Sequence, residues 1–280
     1  MPTTASILVD GVAAETLDVR DRGVMFGDGL FETIAVVDGT VVNWSDHHER
    51  LNAGCAQLDI PAPPAGLLHN EVLTVAADHP RSVVRVTVTR GCGGAGYTPP
   101  REPSPTRIVA RRPWPGHYAD KALRGVRIGV ARHPLSVNPR LAGLKHLNRL
   151  DQVLASREVD AANWDEALMR DADGHVIEAT RCNVFAVLDG DLVTPTLETA
   201  GVRGVMRKNV LAVAGSLDIT IRECLLSLAD IERANELFLC NAIAGIWPVI
   251  ALHSDTPRTF PLGPTTAAIR DLLVRGGMLR

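Results

Sequence analysis

Lysine is the scarcity that matters most in this chain. Of 29 basic residues only three are lysines, Lys121, Lys145 and Lys208. Arginine fills the other cationic positions, and its guanidinium stays protonated, so it cannot replace a primary amine in a Schiff base. An excess of either charge is missing too: 29 basic against 32 acidic residues leave a net charge of -3, which gives no hint of a nucleic-acid-binding surface. No apolar run reaches membrane-spanning length. The start, Met1-Pro-Thr-Thr-Ala-Ser6, lacks the basic and apolar regions of a signal peptide. The five cysteines (55, 92, 182, 224 and 240) are odd in number and scattered, and none has CxxC spacing. That pattern indicates neither a disulfide framework nor a zinc site, so reduced thiols, a cytoplasmic location and no bound metal are expected. Repeats, heptads and charged tails are absent, which argues against a structural or interaction role.

What is present is a chain of 280 residues, 46% hydrophobic, enough for one large or two modest domains. Ile7 to Val9 and Val12 to Leu17 flank an Asp-Gly turn and predict a hairpin. Three glycines mark tight backbone in Arg20 to Thr33, and Phe31 to Val37 returns to strand. Ser45 is the expected N-cap of a helix with Leu51, Cys55 and Leu58 as its apolar stripe. Val84, Val86 and Val88 alternate with Arg85, Thr87 and Thr89, the pattern of a half-buried strand. Pro113-Trp-Pro-Gly116 is the domain-boundary candidate. Beyond it, short strands are expected at 126–131, 166–170, 176–178, 184–188, 192–194, 219–223 and 237–240. Helices are expected from the Lys145 region to about Val159, over 204–214, after Ser227 and over 265–274. Strands and helices mix without the alternation of a doubly wound sheet, which is an α/β chain of the α+β type.

The three lysines have different settings. Lys121 lies in a polar segment and Lys208 follows Arg207 early in a helix, so both read as solvated. Lys145 stands in Gly143-Leu-Lys-His-Leu-Asn-Arg-Leu-Asp-Gln-Val153, ahead of Leu147, Leu150, Val153 and Leu154, whose spacing marks one helical face. Spacing alone leaves an ordinary helix-start lysine open. Glu178 ends an apolar strand, where a buried carboxylate needs a cationic partner; an exposed strand end is the alternative. Gly201-Val-Arg-Gly-Val-Met206 leads into a helix, whose first N–H groups can hold an anion. Arg50, on the first predicted helix, can add a charge-assisted contact to a phosphate or lie on the surface. An amine, a carboxylate and an anion-binding helix start are the three needs of a pyridoxal phosphate site. The glycine-rich stretch from Gly91 to Gly96 is not a P-loop, because it lacks the lysine and Thr98-Pro-Pro100 follows. His47 and His48 are adjacent on a helix and point apart, which argues against a shared metal.

At these residues the chain resembles the fold-type IV pyridoxal phosphate enzymes: branched-chain and D-amino-acid aminotransferases and 4-amino-4-deoxychorismate lyase. The shared motifs are Asp21-Arg22 with Phe26-Gly-Asp-Gly-Leu-Phe-Glu-Thr33, His48-Glu-Arg-Leu51, Lys145, Glu178 with Asn183-Val-Phe185, Gly201 to Arg207, and Asn241 before Pro248-Val249. The resemblance implies that Lys145 holds the cofactor aldehyde and that Glu178 partners the pyridine nitrogen. It implies that Arg50 binds the phosphate, that Val202 packs on the ring face, and that the Val205 and Met206 backbone meets the phosphate. Asn241 falls at a further phosphate-loop contact. It also implies an N-terminal α/β domain (1–114), a linker (115–124) and a larger C-terminal domain (125–280), with pyridoxal 5'-phosphate between them, in a homodimer.

Within the family, the Lys145 stretch and Arg90-Gly-Cys-Gly-Gly-Ala-Gly-Tyr97 look most like the lyase. The Arg-x-His trap and tyrosine of bacterial D-amino-acid aminotransferases are replaced here by Ala95, Tyr97 and Phe31. The resemblance thus implies conversion of aminodeoxychorismate to p-aminobenzoate and pyruvate, in folate biosynthesis. Thr33, which ends the pocket motif, is then the candidate proton donor to the enolpyruvyl group, beside Lys145 as base. Arg90 and Arg107 are the candidates for the substrate carboxylates, with Tyr97 and Phe31 as further substrate contacts. An aminotransferase on the same scaffold is the alternative, and a non-catalytic pyridoxal phosphate-binding protein is the reading from another class.

Overall fold

The computed structural model describes residues 6–280. The expectation about the leader falls mainly on residues 1–5, outside them. The chain forms two compact units, Met1–Pro115 with Leu144–Asn148, and Gly116–Gly143 with Arg149–Arg280. The segment Leu144–Asn148, expected within the C-terminal domain, therefore groups with the first unit. Among the described residues no helix is long and apolar enough to cross a membrane.

In the first unit, β1 (Ile7–Val9) and β2 (Val12–Ala13) form the hairpin. Asp10 and Gly11 take φ of 50° and 82°, the left-handed backbone of a two-residue hairpin turn. Then come α1 (Arg22–Phe26), β3 (Gly29–Val37), β4 (Thr40–Val41), α2 (Trp44–Gln57), α3 (Ala65–Ala76), β5 (Arg81–Thr89) and β6 (Thr106–Pro113). The sheet is antiparallel, in the order β2-β1-β6-β5-β3-β4. Alternation along β3 and β5 puts Phe31, Thr33, Arg85 and Thr87 on one face and Leu30, Glu32, Ile34, Val84 and Val86 on the other. α2 covers the second of these faces, with Leu51 and Cys55 buried. Its N-cap is Asn43, with a φ of 53°, and not Ser45. α3 has no counterpart in the sequence reading. β5 is buried along most of both faces, Ser82, Thr87 and Thr89 included, where a half-buried strand was expected.

The second unit runs through α4 (Tyr118–Arg124), β7 (Val126–Val130), α5 (Leu150–Ala162), β8 (Glu166–Arg170), β9 (His175–Ala179), β10 (Asn183–Leu188) and β11 (Asp191–Pro195). It continues with α6 (Val205–Ala214), β12 (Ile221–Cys224), β13 (Leu226–Ser227), α7 (Leu228–Arg233), β14 (Glu236–Asn241), β15 (Gly245–His253), β16 (Arg258–Thr259) and α8 (Pro264–Arg275). The mixed sheet has the order β12-β11-β10-β14-β15-β7-β8-β9-β13, with β16 on β15. Phe185, Phe238 and Ile246 pack with Met206 and Val210 of α6 and Ile269 and Leu273 of α8. α5 buries Ala155 and Val159 against Ala167, Met169 and Ile177. The helical face marked by apolar spacing meets solvent and not the core: Leu150, Val153 and Leu154 are 76%, 52% and 40% exposed. α5 starts at Leu150, so Lys145 stands outside the helix.

Candidate active site

Lys145 is held by backbone pairing along the edge of β3. Phe31 N–H donates to the Lys145 carbonyl at 2.9 Å and Leu147 N–H to the Gly29 carbonyl at 3.0 Å. Antiparallel pairing puts the Lys145 side chain on the Phe31 face, and its Nζ lies 4.5 Å from the Phe31 ring centroid. The Arg85 guanidinium lies 3.8 Å from the same ring, and Arg85 is paired across the sheet with Thr33. An amine, a hydroxyl, a guanidinium and an aromatic ring therefore share one face of this unit. Both cations are placed to gain from the ring's negative face. The other lysines are set differently. Lys121 was expected to be solvated, but it is half-buried, paired with Asp165 at 2.9 Å, with Nζ 5.3 Å from the Trp247 ring. Lys208 is exposed.

Arg50 sits on the opposite face, against Glu32. Its Nε donates to Glu32 Oε1 at 2.8 Å and its Nη2 to Oε2 at 2.5 Å. His47 Nδ1 lies 2.6 Å from the same Oε2. Burial pushes the Glu32 carboxyl up, but Arg50 and His47 outweigh it and hold the pKa at about 2.

In the second unit, Glu178 is the last residue but one of β9 and is buried. Its Oε2 accepts from Val202 N–H at 2.9 Å and its Oε1 from Gln152 Nε2 at 3.3 Å. The Val202 carbonyl accepts from Asn183 Nδ2 at 2.8 Å, so both backbone polar groups of this residue are held by side chains. The chain around it is tight. Gly201 has a φ of +84°, and a Cβ there would lie 2.8 Å from Ile177 and Leu197. A Cβ on Gly204 would lie 2.1 Å from Asn183 Oδ1. Gly204 caps α6 without a side-chain hydrogen bond. The first N–H groups of a helix have no acceptor within it, and those of Val205 and Met206 stand at that end. The two side chains themselves are buried. Asn241 uses its amide oxygen within its own turn, where Oδ1 accepts from Ile243 and Ala244 N–H at 2.9 and 2.7 Å, while Nδ2 donates to the Arg181 carbonyl at 3.2 Å.

The arginines named for the substrate carboxylates have protein partners. Arg90 is buried, with two hydrogen bonds to Asp28 (2.8 and 3.0 Å) and two to the Leu58 and Asp59 carbonyls (2.7 and 2.8 Å). Arg107 pairs with buried Glu71 at 3.0 Å, and its Nη1 lies 3.5 Å from Asp10. Its position in the β5–β6 register, opposite Val88, puts it on the face away from Phe31. Tyr97 is 87% exposed, with its ring 5.4 Å from that of Phe26. Sequence reasoning passed over Arg85, Gln152, and the Glu32–His47 pair. Only register, which a single strand does not carry, brings Arg85 opposite Thr33.

Residues 29–252 match the Amino-transferase class IV family. The chain is 33% identical to an aminodeoxychorismate lyase of Vibrio harveyi, covering 94% of this chain and 97% of that one. It is 32% identical to a putative branched-chain-amino-acid aminotransferase of Methanocaldococcus jannaschii, covering 91% and 89%. Among solved structures, a 4-amino-4-deoxychorismate lyase from Pseudomonas aeruginosa superposes with a TM-score of 0.90 at 43% identity, covering 96% of this chain and 98% of that one.

Proposed function

The chain belongs to the Amino-transferase class IV family, and from that premise we propose that it is a pyridoxal 5'-phosphate-dependent 4-amino-4-deoxychorismate lyase, releasing p-aminobenzoate and pyruvate. The observation that carries this reading is its likeness, over nearly the whole of each chain, to two lyases of that specificity. The local geometry supports it. Gly201 and Gly204 leave no room for a Cβ, α6 opens on a bare glycine cap, and the Glu178 carboxylate is held by two neutral donors. These are the features a phosphorylated pyridine needs: close backbone approach, an anion-binding helix start and a buried carboxylate.

The bound cofactor supplies an aldehyde that captures amines and a pyridinium ring that accepts electron pairs. Arg50 and the N–H groups of Val205 and Met206 would hold its phosphate, Val202 would pack on the ring, and Glu178 would keep the proton on the ring nitrogen. Lys145 Nζ would hold the aldehyde, and as a free amine it would be the base. Nζ then removes the proton from the substrate ring carbon that bears nitrogen. The bond from the neighbouring carbon to the enolpyruvyl oxygen breaks, the six-membered ring becomes aromatic, and the Thr33 hydroxyl protonates the departing enolpyruvyl group. Base catalysis of this kind supplies about 10²–10⁴-fold. Arg85 shares the Phe31 face with Lys145, so it takes the carboxylate contact first sought in Arg90 and Arg107. The reading carries over the homodimer and the place in folate biosynthesis that the resemblance implies. It keeps the cytoplasmic location expected from the unpaired cysteines, all five of which are free thiols here.

The test is a product assay on enzymatically made aminodeoxychorismate with wild type and Lys145→Ala. Stoichiometric p-aminobenzoate and pyruvate from wild type, and almost none from the variant, is the expected result. A yellow, cofactor-loaded wild type that yields no p-aminobenzoate but exchanges amino groups between amino acids and keto acids would instead be an aminotransferase.

A further inference from the structure

The Asp21-Arg22 motif takes no part in the chemistry above. Arg22 opens α1 and is 4% exposed. A buried cation needs an anion beside it, and Asp28 supplies one: Arg22 Nε donates to Asp28 Oδ2 at 2.9 Å. Arg90 holds both oxygens of the same carboxylate, so the plane of the Arg22 guanidinium is fixed. Its other two nitrogens hold the glycine-rich loop that follows β5. Nη1 donates to the Gly96 carbonyl at 3.0 Å and Nη2 to the Tyr97 carbonyl at 2.9 Å. The Gly93 and Thr98 carbonyls stand 3.4 and 3.5 Å from Nη1. The Arg22 backbone N–H donates to the Gly91 carbonyl at 3.0 Å.

The loop needs such a template. Gly91, Gly93, Gly94 and Gly96 all have positive φ, and glycine gives up more conformational freedom on folding than any other residue. Tyr97 has its carbonyl fixed by Arg22 and one side of its ring packed on Phe26. The Arg22 guanidinium lies 4.8 Å from the same Phe26 ring. The rest of the Tyr97 ring is open to solvent. An aromatic ring held in place with its surface open is a preformed contact, because little side-chain entropy is left to lose when a ligand meets it.

We propose that Arg22 is a positioning residue for the substrate: its guanidinium moulds the loop from Gly91 to Thr98 into the shape that presents the Tyr97 ring. This rests on the lyase reading and on Tyr97 being a substrate contact. A lysine keeps the charge, but as a point charge it cannot serve Asp28 and two carbonyls in one plane. Arg22→Lys therefore separates the template from the charge.

The experiment is steady-state kinetics on aminodeoxychorismate, with chymotrypsin cleavage after Tyr97 as the measure of loop order. Tyr97→Ala should raise KM about ten-fold, the scale of one aromatic contact. Its kcat should change little, as for a contact made equally in ground and transition states. Arg22→Lys should raise KM to the same extent and be cut faster than wild type. Adding Tyr97→Ala to it should cost nothing more. Thermal melts identify a variant that fails to fold. Where Arg22→Lys does so, Gly94→Ala decides the matter. Its Cβ would lie 2.2 Å from the Thr98 carbonyl oxygen, so it deforms the loop without touching the buried ion pair, and an unchanged KM overturns the positioning role. With the Tyr97 effect in place, three results for Arg22→Lys also overturn it: a wild-type KM, additive losses in the double variant, or a fall in kcat instead of a rise in KM. A Tyr97→Ala enzyme with wild-type KM overturns the substrate contact, and this inference with it. A wild type that turns over none of this substrate overturns the lyase reading on which both rest.

Discussion

Arg85 and Glu32 belong to the same sheet and differ only in which face they occupy, yet that decides what each can do. Arg85 shares its face with Thr33 and the Lys145 amine. Replacing it with methionine keeps the stem and removes the charge. The expected outcome in steady-state kinetics is a KM for the dicarboxylate substrate raised about ten-fold or more, the value of a charge-assisted contact, with cofactor affinity unchanged. An unaltered KM would take Arg85 out of the substrate site. Glu32 works on stability. Its pKa falls from 4.5 in the free side chain to about 2 in the folded protein. A depressed carboxyl contributes stability that is complete above the unfolded value and is lost as pH falls through the folded one. The window is therefore pH 4.5 down to 2, and the shift corresponds to roughly 3 kcal/mol. Denaturant midpoints followed from pH 6 to pH 3 should fall more steeply in wild type than in Glu32→Gln. Thiols offer a check of burial. Burial pushes the Cys55 thiol up to about 11 and the Cys240 thiol up to about 12, and Cys182 also rises well above its ordinary value. Exposed Cys92 should react first with a thiol reagent, half-buried Cys224 more slowly, and these three only on unfolding.

At the scale of elements, the opening of α6 shows why two glycines are needed. Gly204→Ala would bring a Cβ 2.1 Å from Asn183 Oδ1 and push away the side chain that holds the Val202 carbonyl. The expected result is a cofactor Kd raised about ten-fold, with a stability loss of about 1–3 kcal/mol, as overpacking gives. A variant with unchanged Kd would mean that the clamp on Val202 does not matter to cofactor binding. Glycine and polar punctuation made this helix legible in the sequence, as it did the Asp-Gly hairpins and the Ser227 cap. Elsewhere local pattern misled. α3 follows Pro61-Ala-Pro-Pro64 and carries no side-chain cap, so only the helical spacing of buried Leu68, Val72 and Val75 announces it. β15 contains Pro248, which argues against a central strand. Its pairing with β7 starts only at Val249 and then shifts register, so the missing N–H falls before that ladder begins. On α5, apolar spacing marked Leu150, Val153 and Leu154 as the inner face, whereas small Ala155 and Val159 pack inward. Periodicity reports a stripe and not which side meets the core.

For the whole molecule, the consequential fact is that five residues from the middle of the chain, Leu144–Asn148, complete the N-terminal unit. The candidate residues were readable as a list, because lysine is scarce and glycines punctuate the start of α6. The placement of Lys145 was not, because it depends on this return of the chain to β3. Leu144 is buried, and burying a leucine is worth about 1.5–3 kcal/mol. The Phe31–Lys145 and Leu147–Gly29 hydrogen bonds add roughly 0.5–1.5 kcal/mol each. A fragment ending at Pro115 would lose all of this, roughly 3–6 kcal/mol against a typical domain stability of about 5–15 kcal/mol. The fragment should therefore melt well below the full chain, with weak amide protection along the Gly29–Phe31 end of β3. A cooperative melt at the full-chain temperature would show that the segment contributes nothing to the fold and serves only to carry Lys145. The lower melt would mean that Lys145, the proposed reactive amine, sits on a segment the unit needs for its own stability. Its placement against Phe31 is then fixed by the same hydrogen bonds that close the sheet.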